Sequence, residues 1–122
     1  MIRSTASCHC GTVQLSFEMV DGLDSLRRCD CSLCRRVKPA AVTATVADLR
    51  VEAGAEALTL YQFNTQTAKH WFCRICGVHV HHQRRSDPSQ MGVNVGCIDG
   101  VSPRLAGEAE WNDGITHPSD RV

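Results

Sequence analysis

Eight cysteines in 122 residues, gathered into tight clusters, restrict what this chain can become more than any other feature. Cys8-His9-Cys10-Gly11 is a C-x-C-G, and Cys29-Asp30-Cys31-Ser32-Leu33-Cys34 a C-x-C-x-x-C. Cys73-Arg74-Ile75-Cys76-Gly77 is a C-x-x-C-G, and Cys97 stands alone. Only 5% of the residues are aromatic, so a core of this size needs a staple of disulfides or metal. Met1 to Ser7 has no apolar run of the kind a secretory signal carries, which leads us to expect a reducing, cytoplasmic setting. In such a setting clustered cysteines hold metal more often than they pair. The spacing agrees, because C-x-C is a poor fit to the geometry of a disulfide within one pair.

Tetrahedral zinc takes four ligands, commonly delivered as two close pairs from distant parts of a chain. In an extended strand residues i and i+2 share a face, which suits C-x-C. In C-x-x-C-G the glycine can take the positive φ of a tight turn. Cys8, Cys10, Cys73 and Cys76 therefore make a complete four-thiolate structural site. That site closes a loop of about 62 residues at a cost of several kcal/mol. Structural zinc supplies roughly 10–16 kcal/mol in small peptides, enough to offset the closure. Cys29, Cys31 and Cys34 are three thiolates without a neighbouring fourth, the pattern of a catalytic zinc with an open position. A remote fourth ligand could close the site instead, with Cys97, His79, His81 and His82 available. A metal-free redox cluster is the remaining reading.

Between the clusters the periodicity is that of strands. Thr12–Phe17 and Val42–Val46 alternate, Leu49–Val51 and Leu58–Phe63 follow, and Thr67–Phe72 leads into the second knuckle. Val78–His81 leads out of it, and Met91–Cys97 alternates again. Asp21-Gly22, Gly54, Asp87-Pro88 and Asp99-Gly100 punctuate these runs. No segment carries a helical stripe over three turns. The expected fold is mainly β: a single small zinc-stapled antiparallel β domain spanning residues 1–122. Its motifs lie within about 8–100, and a polar segment over 108–122 lies on the surface, anchored by Trp111 and Ile115.

Thirteen basic and thirteen acidic residues cancel, giving no electrostatic case for nucleic acid or an anionic membrane. Seven metal-bound thiolates and two zinc ions would take the formal zero to about −3, which weakens that case further. No apolar run approaches the roughly 18 residues of a membrane span. Exposed sheet edges leave a homodimer possible.

The three cysteine clusters, with Arg35-Arg36, His70-Trp71-Phe72, Arg85-Ser86-Asp87-Pro88 and Val93–Gly100 around them, resemble the glutathione-dependent formaldehyde-activating enzyme family, which includes the centromere protein V type proteins. The resemblance runs from about Cys8 to Gly100 and implies a β-tent fold with two zinc ions per chain. It implies structural zinc at Cys8, Cys10, Cys73 and Cys76, and a catalytic-type zinc at Cys29, Cys31 and Cys34. The implied activity is that of a carbon–sulfur lyase joining glutathione and formaldehyde into S-hydroxymethylglutathione.

A zinc held by three thiolates is a modest Lewis acid that still deprotonates a bound thiol. A small-molecule thiol such as glutathione fits the open position, its sulfur adding to an aldehyde carbon or leaving it in reverse. The planar fork of arginine suits the tripeptide's carboxylates, which makes Arg35 and Arg85 candidates for binding it. Ordinary surface arginines are the plainer account of both. Alternation places His79 and His81 on one polar strand face, opposite Val78 and Val80. A site-lining role for these histidines is the sharper alternative. His9 and His70 flank cysteine ligands and read as supporting groups, and Cys97 reads as a small buried residue. Two functions compete with the enzyme: a binding module in which both zincs are structural, and a zinc or redox buffer.

Overall fold

The computed structural model describes residues 3–117 and 120. Its smaller sheet has the order β1 (Ser4–Ser7), β2 (Gln14–Phe17), β5 (Arg50–Ala53). The larger has seven strands, running β10 (Glu110–Asn112), β3 (Arg27–Cys29), β4 (Ala41–Thr45), β9 (Gln90–Asn94), β8 (His79–Gln83), β7 (Lys69–Cys73) and β6 (Leu58–Tyr61). The single α-helical turn among the described residues, α1, covers Cys34–Val37. The expectation of a mainly β chain holds. Pairing is antiparallel except between β10 and β3, which run parallel.

Leu15 and Phe17 of β2 meet Val42, Val80 and Val93 of the larger sheet in one apolar cluster, all five with almost no exposure. The two sheets thus share a core of branched aliphatic side chains, with Phe17 its one fully buried aromatic ring among the described residues. β4 and β9 lie at the centre and are buried at successive positions, so both of their faces are covered. Their buried polar groups are satisfied: Thr43 N–H donates to Ser25 Oγ at 2.9 Å, and Asn94 Nδ2 donates to the His79 carbonyl at 2.8 Å.

Two features depart from the sequence reading. β7 and β8 are paired across a bulge: Phe72 faces His79 while Trp71 faces His81, leaving Val80 as the extra residue. Period-two alternation fails there, so His79 and His81 do not share a face, and both are buried, not on a polar surface. In the C-terminal segment Trp111 and Ile115 are each 58% exposed and anchor nothing by burial. The segment is held by polar contacts instead. Strand β10 pairs with β3, Arg28 lies over the Trp111 ring at 4.4 Å, and the Arg28 guanidinium donates to the Ala109 carbonyl at 2.7 and 3.0 Å.

Candidate metal centres

Cys8 follows β1 and Cys10 precedes β2, while Cys73 closes β7 and Cys76 lies in the next turn. Gly11 and Gly77, at φ 79 and 78, make the two knuckle turns. The turns bring all four sulfurs within 4.8 Å of one another. Cys8 Sγ lies 3.6 Å and Cys73 Sγ 3.8 Å from Cys10 Sγ. Four thiolates at tetrahedral zinc stand about 3.8 Å apart, so the cluster fits the ion. Backbone amides face the sulfurs: Val13 N–H donates to Cys8 Sγ at 3.3 Å, and Ile75 N–H to Cys73 Sγ at 3.4 Å. The Cys10 amide, then that of Val78, pulls the Cys76 thiol down to about 6. The Thr12 hydroxyl lowers the Cys10 thiol, and burial raises that of Cys8. Half-prepared thiolates of this kind are what a metal completes.

Cys29 ends β3 and Cys34 opens α1, and the tight turn between them places Cys31. The Cys34 amide donates to Cys31 Sγ at 3.2 Å, and Lys38 Nζ, one turn further on, to Cys34 Sγ at 3.5 Å. Hydrogen bonds from Cys29 and then Cys34 hold the Cys31 thiol far below its usual range. The Cys29 thiol is driven up, first by Cys31, then by Cys34 and burial. Cys34 is raised as well, the Cys29 contact opposing those of Cys31 and burial. Three thiols held this close shift one another's ionisation, which a bound cation would relieve. No fourth protein donor joins this group among the described residues. Cys97 lies elsewhere, buried, with Sγ 3.8 Å from the His79 carbonyl and its thiol pushed up to about 11 by burial.

The three sulfurs lie in the wall of a cavity of about 540 Å³. Arg27, Lys38, Arg84 and Arg85 line it together with Asp113 and Asp120, beside Phe63, His70, His82 and Trp111. Among the described residues no carboxylate is within ion-pair distance of Lys38, Arg84 or Arg85. Arg84 is drawn down by burial and then by Arg27. Arg85 therefore faces the cavity, whereas Arg35 is exposed on α1 and does not line it.

The bulge in β8 produces a third cluster that spacing did not show. His79 and His82 converge with His70 of β7, His70 Nδ1 lying 3.2 Å from His79 Nε2. His81 is left on Trp71, the rings 4.9 Å apart and 14° from parallel. His9 is exposed, so its position between two ligands gives it no buried partner. Sequence reasoning missed Lys38, whose signal was its place four residues after Cys34, and missed the grouping of His70 with His82. It also missed Asp30, which accepts from the amides of Gly114 at 2.8 Å and Ile115 at 3.2 Å. Asp120 does the same for the Ser32 amide and hydroxyl, at 2.9 and 3.0 Å.

A mainly β chain with one four-sulfur cluster, and a three-sulfur cluster opening on a cavity, has the form of a small protein whose cysteine groups could hold metal. The sequence pattern of the glutathione-dependent formaldehyde-activating enzymes matches residues 3–112, and the chain belongs to that family. A crystal structure of a Rhodobacter sphaeroides protein is similar, at 55% identity and a TM-score of 0.82. The match covers 88% of this chain and 99% of that one. Among the described residues no helix is long and apolar enough to cross a membrane.

Proposed function

We propose that this chain joins glutathione to formaldehyde, forming S-hydroxymethylglutathione in the cavity beside Cys29, Cys31 and Cys34. The observation that carries this reading is the meeting of three sulfurs with Lys38, Arg84 and Arg85, none within ion-pair distance of a described carboxylate, in one cavity of ligand size. Cys29, Cys31 and Cys34 would hold one zinc ion, and Cys8, Cys10, Cys73 and Cys76 a structural second. A zinc ion with three thiolate ligands supplies a place where a thiol binds as thiolate. The sulfur–carbon bond forms as the carbonyl π bond breaks, and the thiol proton ends on the new hydroxyl oxygen.

The chain's own part is to hold the tripeptide. Arg84 and Arg85 present planar forks to its carboxylates in a partly buried wall, where charge-assisted bonds are stronger than in open water. Lys38 is directed at Cys34 Sγ and offsets the negative charge of the thiolates. The walls of Phe63 and Trp111 cover the peptide's apolar stretches.

The test is exchange spectroscopy of glutathione and labelled formaldehyde with the zinc-loaded chain, set against the spontaneous rate. Acceleration is expected, and Cys31→Ser, with its fold intact, should abolish it. Arg84→Gln should raise KM for glutathione about tenfold or more with kcat little changed, the loss of one charge-assisted pair. Glutathione binding without acceleration would leave a binding module in place of an enzyme. An undiminished rate in Cys31→Ser would overturn the site.

A further inference from the structure

We propose that His70, His79 and His82 form a third metal site, distinct from both cysteine clusters, for a borderline divalent cation of the zinc, cobalt or copper class. One ring nitrogen of each histidine lies within 4.8 Å of the others. Two imidazoles on a tetrahedral ion with bonds of 2.0–2.1 Å have their donor nitrogens about 3.4 Å apart and their ring centres about 5 Å apart. His70 Nδ1 and His79 Nε2 are 3.2 Å apart. The ring centres are separated by 5.4 Å for His70–His79, 5.3 Å for His70–His82 and 6.1 Å for His79–His82. The triangle is that of a three-imidazole site, with one side slightly open.

The surroundings fit the same use. Nδ1 of His82 is buried without a hydrogen-bond partner among the described residues. Burial pushes all three rings below the ordinary imidazole range, His70 to about 4 and His79 and His82 further still, which disfavours their charged form. His82 is fixed by Gly92 on the neighbouring strand, where an added Cβ would meet the ring at 2.2 Å. Lys38 donates to Cys34 Sγ, and its charge also acts on all three rings, so an added cation there must work against it. No carboxylate joins the group, which selects against magnesium and calcium. His70 and His82 line the cavity, so a fourth position there is open to water or to a small oxygen ligand.

The site is independent of the glutathione reading and is tested without activity. The full chain is titrated with cobalt(II). The cysteine clusters give sulfur-to-cobalt charge-transfer absorption, whereas three imidazoles give visible d–d bands without it. One further equivalent of the second kind is expected after the charge-transfer absorption saturates, and His79→Phe should lose that equivalent alone. Ring-nitrogen spectra of the wild-type chain with zinc supply a second reading that needs no variant. The resonances of His70, His79 and His82 should move with the last equivalent, and those of His81 and His9 should stay. Saturation with the cysteine clusters alone, or ring signals that do not respond, would overturn the site.

Discussion

Gly114 occupies a place that no other residue fits. A Cβ there would stand 2.5 Å from Cys31 Cβ, 2.8 Å from Cys29 Sγ and 2.9 Å from the Cys31 amide nitrogen. The C-terminal segment is thereby pressed against Cys29 Sγ and against the Cβ and amide nitrogen of Cys31, and Asp30, between the two cysteines in sequence, accepts from its amides. The position of the second cluster is constrained from outside the cysteine motif. Groups that orient metal ligands commonly change affinity 10–100-fold when altered. Gly114→Ala is expected to weaken zinc at Cys29, Cys31 and Cys34 by about that factor while leaving Cys8, Cys10, Cys73 and Cys76 unchanged. Competition against a coloured chelator, which resolves the two affinities, is the check. An equal loss at both clusters would mean that the substitution disturbs the fold and not the cluster.

Strands β1, β2 and β5 depend on one carboxylate at their edge. Asp48 accepts from the Arg3 guanidinium at 2.6 Å and from the Glu18 amide at 2.7 Å, and Arg3 also reaches Ser16 Oγ at 3.2 Å. The Glu18 amide and then Arg3 hold the Asp48 carboxyl below its usual range. Such a carboxyl takes up a proton less readily folded than unfolded, so its contribution is complete above about pH 4 and is lost as the pH falls further. Asp48→Asn is expected to lower Tm at neutral pH, and the gap to the wild type should close in acid. A gap that persists at pH 2 would show that the ion pair is not its source. None of this was legible in Ser4–Ser7, whose four residues bury only Ala6 and offer no apolar alternation. β3 and β10 were hidden likewise, being Arg-Arg-Cys and Glu-Trp-Asn with no buried residue between them. The strands that carry the core were legible because Leu15, Phe17, Val42, Val80 and Val93 must face inward. The cysteine groupings were legible too, since ligand spacing is local chemistry. The histidine cluster was not, because a single extra residue in β8 reverses which side chains share a face.

The two sulfur clusters stand in different relations to the rest of the molecule. Cys8 and Cys10 belong to the turn joining two strands of the smaller sheet, and Cys73 and Cys76 to the end of a strand of the larger. A metal there ties one sheet to the other and closes a loop of about 62 residues, a large constraint on the unfolded chain. Cys29, Cys31 and Cys34 fall within six residues and close no long loop. Loss of metal should therefore act unequally. Cys76→Ser in the zinc-loaded chain is expected to lower Tm by about 10 °C or more, the size of a few kcal/mol in a domain this small. Cys31→Ser is expected to cost a small fraction of that, and calorimetry of the two variants side by side decides. A chelator added in steps should empty the three-sulfur site first and leave a cooperative transition, then abolish that transition as the four-sulfur site empties. Equal losses in Tm would mean that the first cluster is no staple and that the shared core of Leu15, Phe17 and the valines holds the sheets alone. An unequal result would mean that the second site can release and exchange its ligand while the fold stays intact, which a site working on a thiol needs.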